Sequence, residues 1–194
     1  MSSQPVDQDL ITFVRLFKKN INKNKKLEPK YFKKLSKIVR DGQLCSFLSL
    51  FKEYSNNEAN VIGRAILKNK MSDVNDVLEY LLEKKDKYHI IILTYLLSKG
   101  TRLENTEKLT KYIKSYFEDD KNLNFFKLIL VLSRKYRHAM DNEITVFCEQ
   151  NEHPVLKEVL KEYKTGKQAV KIEIPQMTTF VNKELFESNK NKHG

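Results

Sequence analysis

The feature of this sequence that most restricts its fold is a helical spacing of apolar residues that continues through most of the chain. Apolar residues recur three and four positions apart in ten successive segments between about residues 9 and 163, as expected where each segment buries one face of an α-helix. The chain has 5 Gly and 4 Pro in 194 residues, too few for the many tight turns of a β-sandwich or barrel. We therefore predict an all-α fold of about ten helices.

Short connections between these helices indicate stacked antiparallel hairpins, either as an α-α superhelix of the HEAT or armadillo kind or as an irregular bundle. A shift of 35 residues aligns residues 96–99 with 131–134, a spacing typical of helical-hairpin repeats. Any two hairpins of similar length would also align their apolar positions, so the offset leaves a true repeat open. The eighth predicted helix is apolar nearly all round and is expected to lie centrally.

The domain organisation follows from where this periodicity stops. We expect residues 1–166 to form a single helical domain, within which residues 15–40 are strongly basic, and residues 167–194 to form an extended, partner-dependent C-terminal arm. The arm has too many apolar residues for a pure linker, so it is expected to dock on a partner or on the body itself. Its candidate partner-binding residues are Ile172, Ile174, Phe180, Val181, Leu185 and Phe186.

The net charge of +11 is concentrated near the N-terminus. Residues 15–40 contain eleven Lys and Arg against Glu28 alone, whereas residues 41–160 contain 18 basic and 18 acidic residues. A local excess of this size attracts phosphate groups or acidic protein surfaces. The candidate nucleic-acid-binding residues are Lys18, Lys19, Lys23, Lys25, Lys26, Lys30, Lys33, Lys34, Lys37 and Arg40.

The helix predicted over residues 30–40 has two separate stripes, one apolar and aromatic from Tyr31 to Val39 and one basic from Lys30 to Arg40. An ordinary solvated helix surface and a membrane-surface helix are the alternatives to phosphate binding. The near-absence of acids favours phosphate, and lysine favours contact with the backbone of RNA or DNA over base recognition. Residues 134–138 are a weaker basic candidate, because cations also favour the end of a helix.

Known catalytic and cofactor patterns are missing from the sequence. Its 4 His and 2 Cys have no metal-ligand spacing, and its glycines form no phosphate-binding loop. Cys45 and Cys148 are expected to be ordinary buried thiols. We therefore predict a protein that is not an enzyme and has no catalytic, cofactor-binding or metal-binding residues. A small-molecule substrate is not expected.

Two functional hypotheses remain from the sequence. The first is a scaffold that docks protein partners in a nuclear ribonucleoprotein or chromatin assembly and contacts RNA or DNA through the basic face. The second is a cytosolic peptide-binding adaptor whose basic face contacts acidic lipid or acidic protein. The longest uncharged apolar stretch, residues 88–98, is shorter than the ~20 residues of a transmembrane helix. A nuclear or cytoplasmic location is expected, with the nucleus favoured.

Deletion of residues 167–194 tests the division between body and arm. Because the arm lacks sustained helical periodicity, we expect the truncated protein to keep its melting transition while an interaction is weakened. Differential scanning calorimetry of the complete and truncated proteins compares their melting transitions. Loss of the cooperative transition on truncation would show that the arm completes the core.

Overall fold

The computed structural model describes residues 8–83, 86–104, 106–118 and 122–165. In these residues 76% of positions are helical and no strand occurs, which confirms the predicted all-α fold. The helices are α1 (Gln8–Asn24), α2 (Pro29–Arg40), α3 (Leu44–Ser49), α4 (Asn56–Lys68), α5 (Val74–Leu82), α6 (Lys87–Ser98), α7 (Thr106–Lys114), α8 (Leu123–Lys135), α9 (Asn142–Gln150) and α10 (Pro154–Thr165). A 3-10 helix, Arg137–Ala139, follows α8.

The helices form two layers that alternate along the chain. The even-numbered helices pack in order, with the most extensive contacts between α4 and α6, between α6 and α8, and between α8 and α10. The odd-numbered helices pack beside them, α1 on α3, α3 on α5 and α5 on α7. Each hairpin therefore contributes one helix to each layer, which is the stacked arrangement that the sequence predicts.

Two hydrogen bonds between successive hairpins join residues that are 35 positions apart in the sequence. The Tyr95 hydroxyl donates to Asn60 Oδ1, and the Tyr136 hydroxyl donates to the carbonyl of Thr101; both pairs are 35 positions apart. The 35-residue sequence offset therefore matches a spacing at which the structure makes contacts. A repeated sequence behind that spacing stays a prediction.

Several helix boundaries coincide with residues that favour them. Pro29 and Pro154 occupy the first position of α2 and α10, where the missing N–H of proline costs no hydrogen bond. Asp141 caps α9 by accepting from the amide of Ile144 at 3.0 Å. Gly42 and Gly100 end α2 and α6 with φ of +70° and +67°, the left-handed conformation that glycine adopts without strain.

The core is continuous through both layers. In α1, Phe13 and Phe17 are fully buried and pack on Phe47 of α3 with ring centroids 5.8 and 5.6 Å apart. Among the described helices, α6 is buried on nearly every side, from His89 to Leu97 except for Thr94. The helix expected to be central, α8, lies between α6 and α10 and is also buried on most sides. None of the described helices is long and apolar enough to cross a membrane.

The closest approach of two even-numbered helices occurs at Gly63 of α4, which faces Tyr95 of α6. A Cβ built on Gly63 would lie 2.7 Å from Cε2 of the Tyr95 ring and closer still to Cγ and Cδ2. The ring is 8% exposed, so its neighbours limit how far it can move. Gly63 is therefore needed for helix packing and has no role in a phosphate-binding loop.

We expect Gly63→Ala to lower the free energy of unfolding by about 1–3 kcal/mol, the usual cost of overpacking a core. In a helix with free space around the glycine, the same substitution would instead raise the free energy of unfolding by about 1 kcal/mol. Thermal unfolding measures the change, because the melting temperature of a chain of this size falls by about 2–4 °C for each kcal/mol of lost stability.

The double-mutant cycle with Tyr95→Ala is the control. Once the ring is removed, Gly63→Ala should be neutral or stabilising, because the added methyl group then has space. An equal loss of stability in both backgrounds would show that the ring contact is not the cause.

Candidate nucleic-acid interface

The predicted binding residues lie on the first hairpin of the stack, formed by α1, α2 and the connection between them. Two contacts fix this hairpin as antiparallel. Near the connection, the side chain of Asn20 bonds to Glu28, and further along, Lys34 Nζ lies 5.1 Å from the centroid of the Phe13 ring. We call the exposed surface of residues 15–40 on this hairpin the basic face.

The connection between α1 and α2 is organised by the acidic residue of the basic face. Glu28 accepts hydrogen bonds at Oε1 from Asn20 Nδ2 at 2.5 Å and from Asn24 Nδ2 at 3.2 Å. Its backbone amide donates to Asn20 Oδ1 at 2.9 Å, and Asn20 is 8% exposed. Lys25 turns the chain with φ of 57°, a conformation uncommon for a residue with a Cβ.

These contacts also set the ionisation of Glu28. The hydrogen bond from Asn20 lowers the pKa of Glu28 most, followed by that from Lys30 Nζ, which lies 3.2 Å from Oε2. The same pair raises the pKa of Lys30. The one carboxylate of the segment thus bonds to other residues of the hairpin, where it holds the connection and offsets one lysine.

All ten predicted residues are exposed except Lys18, which is half-buried. Three of them have partners inside the protein. Lys18 Nζ donates to the carbonyl of Glu53 at 2.9 Å, Lys30 pairs with Glu28, and Arg40 Nη1 donates to Asn69 Oδ1 at 3.1 Å. These three cations join the hairpin to itself and to its neighbours, a structural role that the sequence prediction did not distinguish from ligand binding.

A second group of cations has no side-chain hydrogen bond, ion pair or ring contact within the described part of the chain. We call this group the open lysines; its members are Lys19, Lys23, Lys25, Lys26, Lys33 and Lys37. Lys34 is intermediate, since its ammonium lies over the Phe13 ring and has no anionic partner in the described structure. The open lysines are the residues best able to receive an external anion.

The lysines of α2 form a row along one side of the helix. Lys30, Lys33 and Lys37 span seven residues, or about 10 Å at 1.5 Å per residue. Phosphates follow one another by about 3.4 Å along the axis on each strand of B-DNA, so this row spans about three of them. On the opposite side, Leu35, Ile38 and Val39 are buried, which keeps the row facing outward.

The aromatic residues of the apolar stripe of α2 are less buried than its aliphatic residues. Tyr31 and Phe32 are half-buried at the edge of the core, whereas Leu35, Ile38 and Val39 are buried. Lys30 Nζ lies 4.8 Å from the Tyr31 ring centroid, and Lys68 Nζ of α4 lies 5.4 Å from that of Phe32. The basic face therefore includes two partly exposed rings and meets a cation of the neighbouring even-numbered helix.

Sequence reasoning missed Arg64 and Lys68 as candidates. Both lie on α4, four residues apart, and both are exposed; α4 packs on α2, and Lys68 Nζ lies over the Phe32 ring of α2. They fell within the stretch of balanced charge, where acidic residues of other helices cancelled them in a count along the chain. Their i, i+4 spacing was visible, but the packing of α4 on α2 was not.

The weaker basic candidate, residues 134–138, is largely engaged within the protein. Arg134 Nη2 lies 3.1 Å from carboxylate oxygens of both Glu158 and Glu162 on α10. The guanidinium of Arg137 lies 5.2 Å from the centroid of the Tyr163 ring. These cations join α8 to α10, which favours a structural role for them.

Groups with reactive side chains are dispersed in the described residues, where no cluster of three His, Cys, Asp or Glu could hold a metal ion. Cys45 is half-buried and Cys148 buried, and burial raises the pKa of the two thiols to about 11 and about 12. Both are thus protonated at neutral pH.

The predicted partner-binding residues Ile172, Ile174, Phe180, Val181, Leu185 and Phe186 lie outside the described residues.

Comparison with models of known protein families finds no match to this chain, and comparison with curated proteins finds none either.

Glu28→Gln tests the role of the carboxylate in the hairpin. Its lowered pKa means that the charged form stabilises the fold above the ordinary pKa of about 4.5, and that this contribution is lost as pH falls through the lowered value. We expect the variant to melt at a lower temperature at neutral pH and to approach the original protein once the pH has fallen below the lowered pKa of Glu28.

Glu53→Gln is the matched control, because the described contact of Glu53 uses its backbone carbonyl and not its carboxylate. This variant should melt like the original protein at every pH. A Glu28→Gln variant with an unchanged melting temperature at neutral pH would contradict the assigned role of Glu28.

Proposed function

We propose that this protein is a non-enzymatic helical scaffold that contacts the sugar–phosphate backbone of RNA or DNA through its basic face. In this proposal the remaining helices and the C-terminal arm dock protein partners in a nuclear ribonucleoprotein or chromatin assembly. The observation that carries the nucleic-acid part is the group of six open lysines beside a carboxylate that is already bound.

The charge of the basic face is directed outward for a physical reason. The buried stripe of α2 fixes the rotation of the helix, so Lys33 and Lys37 extend into solvent. Glu28, the acid that could neutralise them, is held by Asn20, Asn24 and Lys30. An external polyanion is then the partner that compensates these charges.

The type of cation supports backbone contact. The six cations without a described side-chain partner among the ten predicted residues are all lysines. An ammonium group offers charge without the planar fork that pairs with a base edge. Each phosphate that a lysine neutralises releases condensed counterions, so binding of this kind depends strongly on salt and weakly on sequence.

The scaffold part of the proposal is supported by the stack of helices. Stacked hairpins present extended surfaces on both layers, and proteins of this architecture commonly bind other proteins along them. The apolar residues of the arm supply a further docking element.

We expect Lys33→Glu/Lys37→Glu to weaken binding to unrelated RNA and DNA sequences alike. The salt dependence of the binding constant should become shallower by about two units, one for each phosphate that a lysine no longer neutralises. Fluorescence anisotropy with dye-labelled oligonucleotides over a range of salt concentrations measures both quantities.

Lys157→Glu/Lys161→Glu on α10 is the matched control, since these exposed lysines have the same i, i+4 spacing and no side-chain partner in the described part of the chain. We call them the control pair. Equal losses of affinity at both places would indicate unspecific attraction to a basic protein. No binding by the unmodified protein at low salt, together with binding to anionic lipid vesicles, would contradict the proposal in favour of a lipid-binding adaptor.

A further inference from the structure

The two layers of the stack differ in charge. The five even-numbered helices together contain 14 Lys and Arg and 3 Asp and Glu, whereas the five odd-numbered helices contain 7 and 6. A count along the chain does not show this difference, because the two kinds of helix alternate. The basic face on α2 is thus the end of a layer that stays basic beyond the first hairpin.

The cations nearest to the basic face in that layer belong to α4. Arg64 is exposed and has no hydrogen bond or ion pair among the described residues, and Lys68 is exposed with its ammonium over the Phe32 ring. Neighbouring packed helices lie about 8–10 Å apart. An extended chain of phosphates about three to five units long therefore reaches from the lysines of α2 to Arg64 and Lys68 of α4.

Two aromatic rings lie on this part of the surface. Tyr31 and Phe32 are half-buried, neither packs against another aromatic ring in the described structure, and each has a lysine ammonium near one face. Because both rings are only half-buried, a planar group can contact the exposed part of each ring beside that ammonium. Cations interleaved with partly exposed aromatic rings are the combination with which proteins bind single strands, because unpaired bases stack on the rings.

We propose that the ligand of this surface is a single-stranded nucleic acid that crosses from α2 to α4, with Arg64 and Lys68 as further phosphate contacts and Tyr31 as a stacking platform. This inference rests on the proposed nucleic-acid function and specifies its ligand and its path. A duplex keeps its bases paired and stacked inside, so it can use the cations but not the ring.

The cation part is tested with Arg64→Gln/Lys68→Gln. We expect its affinity for a single strand of roughly 12 nucleotides to fall and its salt dependence to become shallower by about two units. Binding to a dinucleotide, whose roughly one phosphate does not reach from α2 to α4, should change little. Lys157→Gln/Lys161→Gln, the control pair with the same kind of change, should match the original protein for both lengths.

The stacking part is tested with Tyr31→Leu, which keeps an apolar side chain at the edge of the core. Affinity for the single strand should fall about five- to tenfold, while affinity for a duplex of the same sequence should stay within about twofold. Tyr88→Leu is a close control, because Tyr88 also occupies the first turn of an even-numbered helix, is half-buried, and has Lys87 Nζ 5.0 Å from its ring centroid.

The outcomes separate this inference from the proposed function. Loss of binding in Lys33→Glu/Lys37→Glu but not in Arg64→Gln/Lys68→Gln would overturn the path across α4 and leave the basic face in place. Equal affinity for single strand and duplex, with no effect of Tyr31→Leu, would overturn the single-stranded ligand. Failure of all these variants to change binding would contradict the proposed function itself. Melting curves of each variant show whether a loss of binding comes from unfolding. If the double variant is unstable, Arg64→Gln alone replaces it, because this change removes no described side-chain interaction.

Discussion

The stack depends on how closely α4 approaches α6 at Gly63. The absence of a side chain there lets the Tyr95 ring lie against the α4 backbone, and the Tyr95 hydroxyl reaches Asn60 one turn before Gly63. At the end of the pair, Lys99 Nζ donates to the carbonyls of Ile66 and Asn69 at 3.0 and 2.6 Å. Burial lowers the pKa of Lys99, whereas these carbonyls accept from its charged form. Since α8 packs on α6 and α10 on α8, the placement of α6 determines that of the later even-numbered helices.

The parts of the fold that sequence predicts are those set by local interactions. The starts of α2, α9 and α10 depend on Pro29, Asp141 and Pro154, whose preferences act within one turn. The Ser55–Glu58 capping box at the start of α4 is equally local. The packing role of Gly63 was out of reach, because the reason for a glycine there is a ring 32 positions away.

The same distinction applies to the candidate interface. Composition located the charge correctly, since residues 15–40 carry it whatever the fold. It could not separate Lys18 and Arg40 from the open lysines, because their acceptors, the Glu53 carbonyl and Asn69, come from sequence positions 35 and 29 residues away. Nor could it add Arg64 and Lys68, since a sum along the chain mixes two layers that the fold separates.

The position of the basic hairpin at one end of the stack has a consequence for its dynamics. Helices inside the stack are supported from two sides, but in the described structure α1 and α2 have their extensive contacts only with α3 and α4. In linear stacks, stability is a sum of terms between neighbours, so an end unit opens at a lower free energy than the rest. A polyanion held by this hairpin and by α4 would join the end unit to its neighbour. Ligand binding would then protect the amide protons of α1 and α2 from exchange with solvent and slow fraying from this end.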